Sequence, residues 1–168
     1  MIPFYTNYLR PDDYGISELV GLTIEVISMV LGMGISNSIY RFYYDRNEVS
    51  NPNIVISTAA ISVPILGFFT LLPLSFLSDQ ISLLALGNEK YAFYINLSIA
   101  ALWFGQMGNL VYTYIRVTES SKLYSVLSIS SLFFSLSLNI FLIAGMGWGV
   151  LGLFTSNLVS AAVFAILT

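Results

Sequence analysis

Apolar residues run along this chain in five long stretches, 16–40, 54–77, 91–115, 123–144 and 149–168, separated by short clusters of charged, Gly, Pro and Asn residues. A helix needs roughly 20 apolar residues to cross a bilayer core, and each stretch is about that long. The pattern predicts an all-α, polytopic membrane helix bundle of about five transmembrane spans, with 1–168 as a single region.

Three of the stretches carry a polar stripe. Gly21, Glu25, Ser28, Gly32 and Ser36 recur at steps of three or four, which puts them on one helix face. Gln106, Asn109, Thr113 and Arg116 do the same in the third stretch, and Ser128, Ser131, Ser135 and Asn139 in the fourth. Such a face borders either a wet cavity or a close helix neighbour. For the serines, bonding to their own backbone is the simpler account. Pro64 and Pro73 predict kinks in the second span, serving either plain curvature or a hinge.

The connections follow from turn chemistry. Arg10 to Gly15 (RPDDYG) reads as a turn that starts a helix, with Asp12 or Asp13 as cap. Residues 41–53, 78–90 and 117–122 read as loops, the second ending in the helix stop Gly87-Asn88. Gly145 to Gly149 reads as a tight turn, not a dimer motif, and Trp148 within it suits the membrane interface. Residues 1–9 are too short to span and resemble the last turns of a helix, while 149–168 stops without a polar flank, so a longer parent protein is expected.

Composition narrows the chemistry. Charged residues make up 9 % of the chain and hydrophobic ones 57 %, against about 25 % charged in a soluble domain. With no Cys and no His, thiolate sites, disulfides and imidazole catalysis are excluded. Neither a phosphate-cradling Gly loop nor a nucleophile elbow occurs, so no enzyme, metal site or cofactor is expected. A coupling ion, H+ or Na+, is the one small partner left open. The net charge of -3 is spread thinly and gives no surface for nucleic acid. Met1 to Tyr8 lacks the basic and apolar regions of a signal peptide.

Lys and Arg in short loops mark the cytoplasmic side. Arg41 with Arg46, and Arg116 with Lys122, outnumber Arg10 and Lys90 in the alternate connections. Loops 41–53 and 117–122 are therefore expected in the cytoplasm of a multi-pass plasma or inner membrane protein.

Two segments resemble a known family. Tyr8 to Gly15 (YLRPDDYG) is similar to the turn between the first two helices of the polysaccharide flippases, in the multidrug/oligosaccharidyl-lipid/polysaccharide exporter superfamily. Gly32 to Asp45 (GMGISNSIYRFYYD) resembles the end of their second helix, at the family's spacing. The resemblance implies a transporter of about twelve to fourteen helices in two lobes that rock around a central cavity. It also implies a substrate, a polyprenyl-diphosphate-linked oligosaccharide moved to the outer leaflet for polysaccharide biosynthesis. This chain would then hold part of the N-terminal lobe and would need the missing C-terminal lobe as partner.

Five residues stand out as candidates for the substrate or cavity: Glu25, Arg41, Gln106, Asn109 and Arg116. Arg41 either meets the diphosphate, whose geometry a guanidinium matches, or anchors the helix in an aromatic belt with Tyr40, Tyr43 and Tyr44. Arg46 is read mainly as a topology marker. Glu25, a carboxylate inside a span, is either a coupling site or a neutral interhelical hydrogen-bonding group. Gln106, Asn109 and Arg116 suit interhelical bonds or sugar contacts. Two alternatives stay open: an ion-coupled multidrug-type exporter on the same fold, and a non-transporting membrane remnant.

Overall fold

The computed structural model describes residues 10–32, 35–44 and 52–167, and among them every regular element is helical. Helix α1 spans Pro11–Gly32. Pro11 takes the first helical position, where its fixed φ is already helical and its missing N–H has no use. Asp12 and Asp13 favour the positive end of the helix dipole. The Arg10 backbone N–H donates to the Asp13 carboxylate at 3.3 Å, one arm of a capping box. The expected turn at 10–15 is thus the first turn of the helix itself. The span predicted over 16–40 is divided between α1 and a second helix, α2, Ile35–Tyr44, which runs on into the expected loop 41–53. Arg46 lies outside the described residues.

Helix α3, Pro52–Phe76, runs through both Pro64 and Pro73 without ending. The Trp103 indole N–H donates to the Pro64 carbonyl at 3.0 Å. Gly67 makes room for that ring, since a Cβ there would sit 3.2 Å from Trp103 Cδ1.

The expected loop 78–90 contains a further helix, α4, Ser78–Leu86, and a short 3-10 turn at Glu89–Tyr91. One amide explains why this segment folds against the bundle. Ser75 donates to Asn96 Oδ1 at 2.7 Å, and Asn96 Nδ2 donates to Ser78 Oγ at 2.9 Å. Asn96 therefore clamps the end of α3 to the start of α4. Gly87 closes α4 at φ 70°, its N–H on the Leu83 carbonyl, which is the helix stop expected from sequence.

Helix α5, Ala92–Val117, is the centre of the bundle and touches α1, α2, α3, α4, α6 and α7. Helix α6, Ser121–Ile140, ends in a π-helical turn, Phe141–Gly145. Gly147 and Gly149 then take φ of 68° and 55° to reverse the chain into α7, Gly149–Leu167. Gly152 lets α7 lie directly on the π turn: a Cβ there would meet the Leu142 carbonyl carbon at 3.2 Å and the Ile143 nitrogen at 3.3 Å.

Val20, Leu71, Ile95, Ile99, Val150 and Phe154 form the buried core, drawn from α1, α3, α5 and α7. The rest of the apolar surface faces outward, with Phe69, Phe76 and Leu84 exposed by 69 %, 80 % and 88 %. Water would oppose so much exposed apolar area, and α1, α3, α6 and α7 are each long and apolar enough to cross a membrane. With α5, this is an all-α membrane helix bundle of about five spans.

Candidate functional site

The candidate residues divide between two places. The first is the outward face of α1. Its inner face sends Ile16, Val20, Ile24, Ile27 and Leu31 into the core. Glu18 and Glu25 point the other way, both exposed and two helical turns apart. Gly21 lies between them, and an added Cβ there would meet nothing within 4 Å. Ser28 donates to the backbone carbonyl of Glu25 in its own helix at 2.8 Å, and so is not a partner for the exposed Glu25 carboxylate. Exposed Leu22 and Met29 share this face, one turn after Glu18 and Glu25, and a wholly apolar line, Leu19, Val26 and Val30, lies beside it, exposed as well.

The second place is where the ends of α2, α5 and α6 meet. Arg116, exposed in the last turn of α5, donates from Nη2 to the Tyr124 hydroxyl at 2.7 Å. Its guanidinium carbon also stands 5.0 Å from the centre of the Tyr124 ring. Tyr40 of α2 lies near the same guanidinium. These side-chain partners are tyrosines; among the described residues no carboxylate pairs with Arg116. Arg41, next to Tyr40, is exposed, with its guanidinium carbon 5.9 Å from the centre of the Phe42 ring.

A groove of about 220 Å³ runs between α5, α6 and α7. One wall is the α5 line of Gly105, Gly108, Asn109 and Tyr112, with Arg116 one turn beyond. The facing wall is Ser131 and Ser135 of α6, on the face that begins at Tyr124. Tyr112 joins groove and mouth: its ring stands edge-on to Tyr124 at 5.5 Å, and its hydroxyl donates to Ser131 at 3.4 Å. Ser160 of α7 also lines the groove, and its hydroxyl is buried without a hydrogen-bond partner.

Gln106 goes elsewhere. It lines a separate apolar cavity of about 210 Å³ with Leu31, Val63 and Thr70, so the expected Gln106 to Arg116 stripe serves two spaces. Thr113 is buried and bonds the Asn109 carbonyl of its own helix. Ser131 likewise bonds the Ser128 carbonyl, the simpler reading of the serine stripe, but it also accepts from Tyr112. Asn139, at the far end of that stripe, is buried with its Oδ1 unpartnered.

Sequence reasoning passed over Tyr112, Tyr124 and Ser160. The signal for the tyrosines was present: Tyr112 and Arg116 are one turn apart on α5, and Tyr124 heads the serine line of α6. Ser160 carried none, because a lone serine in an apolar helix looks like packing.

Among the described residues no cluster of acidic groups is suited to hold a metal ion. No family model, curated protein or solved structure matches the chain.

Proposed function

We propose that this chain forms part of a membrane transporter that moves a polyprenyl-diphosphate-linked oligosaccharide across the cell membrane for polysaccharide biosynthesis. The observation that carries the reading is the outward face of α1, with Glu18 and Glu25 exposed on a helix whose opposite face fills the core. A carboxylate at the centre of a span costs about 2.5–3.5 kcal/mol against lipid even on the mildest scales. A pair of them on one line is accounted for by water beyond that face, the wall of a central cavity shared with a second lobe. The resemblance of 8–15 and 32–45 to the flippase family supplies the substrate class, and exposed Arg41 supplies a guanidinium group for its diphosphate. On this reading the loop charges would favour the cytoplasmic end for Arg41.

The test is reconstitution of the full-length protein with a fluorescent lipid-linked oligosaccharide in liposomes. Transbilayer movement of that lipid is expected, with Glu25→Gln inserting normally but transporting poorly. Export of a cationic dye with no movement of the lipid would instead assign the acidic face to an ion-coupled multidrug-type exporter, the second reading that Glu25 supports.

A further inference from the structure

The groove between α5, α6 and α7 has a consequence for lipid. We propose that it is a specific site for one anionic phospholipid, with the phosphate at Arg116 and Tyr124 and the glycerol diester within the groove. The proposal stands apart from the transport reading, because it needs only that the bundle lies in a bilayer.

The mouth has the chemistry of a phosphate site. A guanidinium carries five N–H donors, and Tyr124 accepts from one Nη2 bond, so donors remain for phosphate oxygens in a bidentate arrangement. Tyr124 faces the guanidinium, and its oxygen, which accepts from Arg116, keeps its own O–H for the same anion. Tyr112 packed edge-on against Tyr124 fixes that ring in place. Arg116 has no carboxylate partner among the described residues, so an anion would supply charge neutralisation that the fold does not.

The groove continues this with neutral groups in the order a phospholipid requires. Asn109 lies two turns along α5 from Arg116, about 11 Å in helix rise. Its exposed amide can donate to an ester carbonyl, and so can the unpartnered hydroxyl of Ser160. Gly105, Gly108 and Ala161 keep the floor low, and Phe104 and Phe164 supply apolar walls for an acyl chain. About 220 Å³ is room for roughly seven waters by liquid volume, more than a packing defect and less than a whole lipid. The diester fits and the chains continue into the bilayer. A bound ester carbonyl would give the buried Ser160 hydroxyl the partner it lacks.

Native mass spectrometry tests this on the full chain extracted from vesicles of equal parts phosphatidylglycerol and phosphatidylcholine. One phosphatidylglycerol is expected to remain bound in preference to phosphatidylcholine, and Arg116→Gln to lower its retention about tenfold or more, as expected for a charge-assisted contact. Asn109→Leu, which fills the groove from an exposed position and keeps the guanidinium, is expected to lower it as well. That second variant keeps the test open if Arg116→Gln does not fold. Equal retention of the two lipids by the unaltered chain overturns the proposal, and so does unchanged phosphatidylglycerol binding in both variants. Displacement by millimolar inorganic phosphate would make the mouth a site for free anions instead. Displacement by an equal amount of polyprenyl phosphate would make it a site for the carrier lipid.

Discussion

The outward face of α1 and the groove behind α5 are built from similar materials and meet opposite fates. Both are lines of polar and small residues at helical spacing on otherwise apolar helices. Among the described residues, the α1 line with Glu18, Gly21 and Glu25 meets no other helix, and a methyl added at Gly21 would touch nothing. On α5 and α6 the lines face one another, so that Tyr112 reaches Ser131 and Arg116 reaches Tyr124. Periodicity alone therefore identifies a face but not what lies across from it. What separates the two is charge: carboxylates need water or a partner, whereas hydroxyls and amides satisfy one another across a helix pair.

The largest contrast is expected from glycine. Gly152→Leu, where even a Cβ crowds the backbone of the π turn, should cost about 3 kcal/mol. In a thermal melt of the purified chain that is a fall of roughly 6–12 °C in Tm. Gly21→Leu, on the open face of α1, should leave Tm nearly unchanged; an equal fall in both would mean that α1 is packed on its outer side.

Asn96→Leu comes next. Ser75 and Ser78 would lose their shared partner, at about 2 kcal/mol. Amide exchange should accelerate through α4 before it does in α5. Exchange that rises evenly across the bundle would show that the amide does not clamp α4 in particular.

The smallest effect is expected at Ser160. Removing a buried hydroxyl that has no partner, Ser160→Ala, should change stability by less than about 1 kcal/mol in lipid-free detergent and in the stabilising direction. With phosphatidylglycerol bound, the same change should become destabilising. A loss of the same size with and without lipid would show that the hydroxyl serves the packing of the bundle alone.

Much of the fold was legible in the hydrophobic pattern, because span length is dictated by the bilayer and five apolar stretches were plain. The helix stop at Gly87 and the reversal through Gly147 and Gly149 were legible too, since positive φ points to glycine. Helix α4 was hidden. Its polar residues, Ser78, Asp79, Gln80 and Ser82, resemble a loop, and what folds them inward is the clamp from Asn96, distant in sequence. The early start of α1 was also missed. Pro11, Asp12 and Asp13 favour a turn and a first helical turn equally, and only the bond from Arg10 to Asp13 distinguishes them. Of the candidate residues, Asn109 lines the groove between α5, α6 and α7 and Arg116 stands one turn beyond its lining, whereas Gln106 on nearly the same stripe faces a different cavity. That separation depends on where α3, α6 and α7 pack around α5, which spacing along α5 does not encode.

Water beside α1 is what the transport reading needs most, and these 168 residues contain no cysteine to compete with an introduced one. Single cysteines along α1 of the full-length protein in membrane vesicles can be probed with a membrane-impermeant maleimide. Labelling is expected at positions 18, 21 and 25, with none at 19, 26 and 30 on the lipid line or at 20, 24 and 27 in the core. A cysteine at 25 that stays unlabelled, or one at 26 that labels equally well, would contradict a wet face on α1.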